Sequence, residues 1–124
     1  MSKPYGNELI LDLHLCDTTK FNRKDIKRYF EDLCKLINMK REDLHFWDYE
    51  GDPEGYKAAP VHLKGTTAVQ FISTSNIVIH TVDDMRNAYI NIFSCREFNP
   101  NTAQKFTMDY FKGLVVKAVF TERK

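Results

Sequence analysis

Three side chains able to do chemistry stand at fixed offsets in the chain: Ser75, His80 five residues on, and Cys95 fifteen beyond that. A hydroxyl is a weak nucleophile until a base takes its proton. An imidazole moves protons near neutral pH, and a thiol serves as acid or nucleophile according to its surroundings. Each residue also has an ordinary structural explanation. Ser75 lies in Ser73-Thr74-Ser75-Asn76, the kind of cluster a tight turn uses because short polar side chains bond their own backbone. His80 in mid-strand suits a satisfied core histidine, and Cys95 at a strand end suits a packed thiol. Taken together they suggest more. If the turn at Ser75 is short, the strand that follows pairs on both sides, and His80 and Cys95 approach the same strand end. A Cys–His nucleophilic pair of the hydrolase type is one reading, although no third orienting residue or oxyanion loop accompanies it.

The elements that must position these groups are legible from the patterning. Glu8 to Leu15 reads as a first strand. Asn22 reads as a helix N-cap with Asp25 three residues on, and Ile26, Phe30, Leu33 and Ile37 recur on one helical face with Cys34 beside it. Leu44 to Tyr49 reads as a second strand. The stretch 50–65 carries two prolines and three glycines and reads as an irregular loop, a lid, an interface segment or a plain excursion. Thr67–Ser73, Asn76–Val82 and Tyr89–Cys95 then follow as short strands rich in β-branched and aromatic residues. Asn99-Pro100 starts a second helix, with Ala103, Phe106, Tyr110 and Phe111 as its apolar stripe and Gly113 closing it. Leu114–Thr121 reads as the last strand. The order β-α-β-β-β-β-α-β predicts an α+β two-layer sandwich, a largely antiparallel sheet with two helices on one face. The other face then invites a homodimer.

The bulk numbers fit one soluble domain. The chain has 124 residues, 43% hydrophobic and 28% charged, with 18 basic against 17 acidic residues, so no charge excess argues for nucleic acid or a membrane surface. The run Arg23, Lys24, Lys27 and Arg28 reads as the solvated start of the first helix. No apolar run approaches the roughly 20 residues of a bilayer span, and the N-terminal Met-Ser-Lys-Pro-Tyr-Gly lacks the apolar core of a signal peptide. Three cysteines, Cys16, Cys34 and Cys95, suggest neither a disulfide framework nor a metal knuckle, and a cytoplasmic setting is expected.

The segment from Gly65 through Ile72-Ser-Thr-Ser75-Asn-Ile-Val-Ile-His80-Thr81 resembles the core of the prokaryotic S-adenosylmethionine decarboxylases. The pattern there is G-x-S-G-x-x-x-I-S-E-S-H-x-x-I-H-T-W-P-E, followed by a strand ending in F-x-C; here Phe93-Ser94-Cys95 stands at the matching distance. Gly6-Asn-Glu-Leu-Ile-Leu-Asp-Leu-His-Leu-Cys16-Asp17 is similar to the family's opening strand. The resemblance implies self-cleavage between Thr74 and Ser75, with Ser75 becoming a pyruvoyl cofactor and no metal required. It implies that His80 assists the elimination, that the Thr67 hydroxyl steadies the intermediate, and that Cys95 returns a proton to the substrate carbon once the pyruvoyl has served as electron sink for loss of CO₂. Asp84 stands where the family holds the ribose diol of its small-molecule substrate. Phe46, Trp47 and Tyr5 are candidates to face the sulfonium charge.

This sequence departs from the pattern beside the scissile bond. Thr74 replaces a glutamate and Asn76 a histidine; Val82-Asp83 stands for Trp-Pro, and Arg96 for the glycine after the cysteine. A β-branched Thr74 stiffens the local backbone. Two functions are therefore expected: a pyruvoyl-dependent decarboxylase of S-adenosylmethionine or a related amino acid feeding polyamine synthesis, or an unprocessed, non-catalytic relative acting as a ligand-binding or partner-regulating subunit.

Overall fold

In the computed structural model, which describes residues 3–124, alternation of apolar and polar residues builds six strands into one sheet. The strands are β1 (Gly6–His14), β2 (Arg41–Trp47), β3 (Gly65–Ile72), β4 (Ser75–Val82), β5 (Asn87–Ser94) and β6 (Leu114–Arg123). They lie in the order β2-β3-β4-β5-β1-β6, and every neighbouring pair is antiparallel. Three helices complete the fold: α1 (Arg23–Leu36), α2 (Pro53–Ala58) and α3 (Pro100–Phe111). Met1 and Ser2, the start of the stretch read for a leader, lie outside the described residues.

The expected α+β two-layer architecture holds, with α1 and α3 over one face of the sheet. Leu9, Leu11 and Leu13 of β1, Ile77 and Ile79 of β4, and Ile90 and Ile92 of β5 point to that face and are buried. They meet Ile26, Phe30 and Leu33 of α1 and Phe111 of α3 in one core. Each fully buried leucine, isoleucine or phenylalanine contributes roughly 1.5–3 kcal/mol relative to exposure. The two helices are also tied by a buried hydrogen bond. The Thr107 hydroxyl donates to the Ala103 carbonyl at 2.8 Å, so the Tyr29 hydroxyl donates to Thr107 at 2.7 Å.

Asn22 caps α1 as expected, its side chain accepting from the Asp25 N–H. The stretch 50–65 is less irregular than its composition suggests, because it contains α2. Asp52 caps this helix by accepting from the Gly55 N–H, and Pro53 begins it; six residues are too few for an apolar periodicity to appear. The second strand also starts three residues earlier than Leu44, since a register shift between Arg41 and Leu44 breaks the alternation that would have marked it. Leu15 falls outside β1 because its φ is +57°.

Among the described residues, the second face of the sheet carries no helix. Ile10, Val69, Val78 and Phe93 alternate with the core residues along their strands and are half-buried there, while Trp47 at the β2 edge is 79% exposed. Charge on this face includes the Glu8 carboxylate, which accepts from Asn91 and Arg123, and Asp12, which pairs across from Lys117.

Candidate active site

The β3–β4 connection is two residues long, Ser73 and Thr74, because Ile72 pairs with Ser75. Across the next ladder Asn76 pairs with Phe93, so the positions that follow at the rim, Ser75 and Cys95, come side by side. The Cys95 N–H donates to Ser75 Oγ at 3.0 Å, and Ser75 Oγ lies 3.8 Å from Cys95 Sγ. Thr74 Oγ1 is closer to that sulfur, at 2.9 Å, and also donates to the Ser73 carbonyl at 2.6 Å. The Thr74 and Ser75 hydroxyls beside it hold the Cys95 thiol below the usual cysteine range, with the Arg96 charge a smaller cause. Close backbone passage at this rim depends on Gly6, where an added Cβ would stand 2.3 Å from the Ser94 carbonyl oxygen and 2.9 Å from Cys95 Cα.

A cavity of about 290 Å³ opens onto Cys95, lined on its other sides by Lys3–Asn7 and Glu97. Tyr5 is part of its wall and stacks on Phe93, ring centroids 6.3 Å apart. The acidic side chain on the cavity wall is Glu97; Glu8, across the ladder from Phe93, is paired with Arg123. Glu8 is held below the ordinary carboxylate range chiefly by its hydrogen bond from Asn91, with Arg123 adding to this against the opposing effect of burial.

The second pair of expected residues lies elsewhere. Thr67 and His80 face each other directly across the β3–β4 ladder, Thr67 Oγ1 and His80 Nδ1 being 2.7 Å apart. His80 pairs with Tyr89 rather than approaching Cys95. The expectation that His80 and Cys95 share a strand end is therefore corrected. In an antiparallel pair, moving forward along β4 means moving backward along β5, so the late Cys95 meets the early Ser75. Five residues of extended strand separate Ser75 from His80, about 16 Å at the usual rise.

The remaining candidates divide between the two centres. Trp47 pairs across from Thr67 at the sheet edge. Asp84 follows β4 and lies 4.0 Å from Lys64. Phe46 turns to the helix-covered face, where Arg23 sits over its ring at 5.3 Å, so it stands apart from Trp47. One residue the sequence reading missed is Asp83. Tyr56 of α2 donates to its Oδ2 at 2.8 Å, while Oδ1 is buried without a partner among the described residues. Burial pushes the Asp83 carboxyl up, with the Asp84 charge adding to it and the Tyr56 hydrogen bond opposing. The Tyr56 hydroxyl is itself pushed up to about 12, mainly by burial. Nothing in local spacing marks Asp83, because its partner comes from a helix 27 residues away.

Several known proteins are similar to this chain. The family profile described as S-adenosylmethionine decarboxylase matches residues 7–124. The S-adenosylmethionine decarboxylase proenzyme of Aquifex aeolicus (strain VF5) is 26% identical over 111 residues, 89% of this chain and 71% of that protein. The proenzymes of Bacillus velezensis and Hydrogenobaculum sp. are 27% and 28% identical, covering 84% and 89% of this chain and 74% and 72% of theirs. Among solved structures, the adenosylmethionine decarboxylase from Aquifex aeolicus VF5 superposes with a TM-score of 0.77 at 20% identity, over 98% of this chain and 92% of that one. At that identity the structural likeness speaks for the fold, while the profile spans nearly the whole sequence: the chain belongs to the S-adenosylmethionine decarboxylase family.

Proposed function

We propose that this chain is the precursor of a pyruvoyl-dependent decarboxylase acting on S-adenosylmethionine or a related amino acid, activated by cutting itself between Thr74 and Ser75. The observation that carries this reading is the rim centre, where the hydroxyls of Ser75 and of Thr74 just before it converge with the Cys95 thiol. Ser75 Oγ attacks the Thr74 carbonyl carbon and forms an ester; elimination then releases Thr74 as a carboxylate and leaves the new chain start to become the pyruvoyl. These residues fit that group: Ser75 supplies its carbon skeleton, its oxygen leaves with the Thr74 carboxylate, and one water then replaces the Ser75 nitrogen, which departs as ammonia, to give the keto oxygen. When present, the pyruvoyl supplies the electron sink for loss of CO₂. Cys95, lining the cavity that would admit the substrate, returns the proton to the α-carbon.

His80 and Thr67 carry the remaining roles, the imidazole removing the Ser75 α-proton during elimination and the hydroxyl steadying the intermediate. Their distance from Ser75 within one chain supports a homodimer in which each copy supplies this pair to the other. The half-buried apolar residues of the bare sheet face support the same arrangement. A two-fold axis through that face brings the middle of one strand over the end of its mate. Asp84 and Trp47, near His80, would then complete a substrate site whose other wall is Tyr5. The product of such a reaction, a decarboxylated sulfonium, is an aminopropyl donor for polyamine synthesis, in a cytoplasmic setting.

Intact mass after expression tests the reading. Two fragments are expected, 1–74 and 75–124, the second gaining mass on borohydride reduction. Release of labelled CO₂ from S-adenosylmethionine against arginine and ornithine then identifies the substrate. A single uncut chain without a reducible carbonyl would leave the non-catalytic, partner-regulating reading in its place.

A further inference from the structure

Thr74 supplies the carbonyl that Ser75 must attack, and its backbone sits at φ +59°. Among the described residues, five other than glycine have positive φ: Leu15, Asn38, Thr74, Arg86 and Lys112. Only Thr74 is β-branched, and a branched Cβ crowds the backbone in this region, so its surroundings must impose the conformation. They do so from both sides. The Ile72–Ser75 pairing leaves just Ser73 and Thr74 to make the connection. The Ser73 N–H donates to the Lys40 carbonyl at 3.2 Å and its hydroxyl to Glu42 Oε2 at 2.8 Å. Thr74 Oγ1 is held between the Ser73 carbonyl and Cys95 Sγ. Glycine or asparagine adopts the same φ at lower cost.

We propose that Thr74 stores backbone strain that is released as its own peptide bond opens, and so accelerates self-cleavage; the proposal rests on the decarboxylase reading above. In the first step a bond forms between Ser75 Oγ and the Thr74 carbonyl carbon. The bond from that carbon to the Ser75 nitrogen breaks, and the hydroxyl proton ends on the freed amine. No other reactant is consumed. Before the step, the Thr74 carbonyl carbon reaches Ser75 Cα through the nitrogen alone; afterwards it does so through Oγ and Cβ. The connection gains an atom, and Thr74 is free to leave the left-handed region. Strain present in the reactant and relieved along the path lowers the barrier. A threonine where the family has glutamate is then compatible with cleavage rather than an obstacle to it.

Cleavage of the full chain, followed on gels after cell-free synthesis, tests this with three variants. Thr74→Asn and Thr74→Gly are expected to cut about tenfold more slowly, equivalent to about 1.4 kcal/mol of barrier. Thr74→Val, which keeps the branched carbon and drops the hydroxyl, is expected to slow cleavage less than either. Against the uncuttable Ser75→Ala chain, adding Thr74→Asn should raise the melting temperature, the opposite of what a merely structural role for Thr74 gives. Asn and Gly variants that cut as fast as the native chain overturn the proposal. So does a lower melting temperature, or a Val variant as slow as the other two. A native chain that stays whole overturns the decarboxylase reading and this proposal with it; equal rates in a native chain that does cut overturn the strain alone.

Discussion

The rim centre around Ser75 and the mid-sheet centre around His80 are built by different means. Thr67 and His80 meet because β3 and β4 pair residue by residue on either side of them. That contact is fixed by register and changes only if the hairpin slips, which would turn every core residue of the strand to the wrong face. Ser75 and Cys95 meet where the ladders end, and their contacts run through a two-residue turn and one main-chain N–H. Single substitutions at Ser73, Thr74 or Gly6 reach the rim centre, whereas the mid-sheet pair is shielded from its neighbours. The two also differ in what they lack. The rim holds a nucleophile and a thiol without a base of ordinary strength; the mid-sheet pair holds an imidazole and a hydroxyl with nothing to attack. On the proposed reading, each completes the other across a dimer.

The largest expected effect comes from removing the nucleophile. Ser75→Ala should abolish both cleavage and CO₂ release, read by intact mass and by trapping of labelled CO₂. Persistence of either means that another residue is attacked. A mixing experiment then separates the two centres. His80→Ala alone should remain uncut, as should Ser75→Ala. When the two variants are co-expressed with distinguishable tags, the His80→Ala chain should be cut, because its Ser75 receives the imidazole of its partner. A His80→Ala chain that stays uncut in the mixture would place the base inside one chain and break the comparison, and one that cuts without the partner would remove His80 from the reaction.

Replacing Cys95 with alanine should leave the main-chain N–H on Ser75 Oγ and remove only the thiol. Cleavage should continue while turnover falls by about 10²–10⁴, the usual worth of a positioned proton donor. The sign of the pH dependence follows from the same side chain. Proton return needs the protonated thiol, and neighbouring hydroxyls, Thr74 first, favour the thiolate. Activity should therefore decline as pH rises, starting below the range of an ordinary cysteine. A turnover profile that stays flat through that range assigns the proton to another group.

The fold was largely legible in the sequence because its signals are local. Alternation in β3, β4 and β5, the Asn22 and Asn99 caps and the helical stripe of α1 each report on a few consecutive residues. Ser75, His80 and Cys95 were legible as residue types, and the family resemblance supplied their expected roles. Their grouping was not legible. Spacing alone brings His80 toward Cys95, but the β4–β5 register, set by the turn at 83–86, brings Ser75 there instead. The α2 helix and its contact with Asp83 were hidden for a related reason. A six-residue helix shows no periodicity, and the value of Tyr56 lies in a side chain it meets only after folding.

That contact also gives the smallest expected effect, on the far side of His80. Asp83 follows the end of β4, three residues beyond His80, and the Tyr56 hydroxyl is its one side-chain hydrogen bond among the described residues. Tyr56→Phe removes that donor and leaves both carboxylate oxygens short of partners, which should cost about 1–2 kcal/mol at neutral pH. The loss depends on the charge. The Asp83 carboxyl titrates above the ordinary range because it is buried, so the folded state holds its proton more tightly than the unfolded chain does. Burial therefore contributes stability at low pH that is lost as pH rises through the raised folded value. The Tyr56 hydrogen bond acts in the opposite sense, favouring the ionised form. The native and Tyr56→Phe melting curves should accordingly lie furthest apart at neutral pH and converge as pH falls through the Asp83 titration. If they stay parallel, Tyr56 supports this end of β4 through ring packing alone, and the His80 centre owes nothing to the charge beside it.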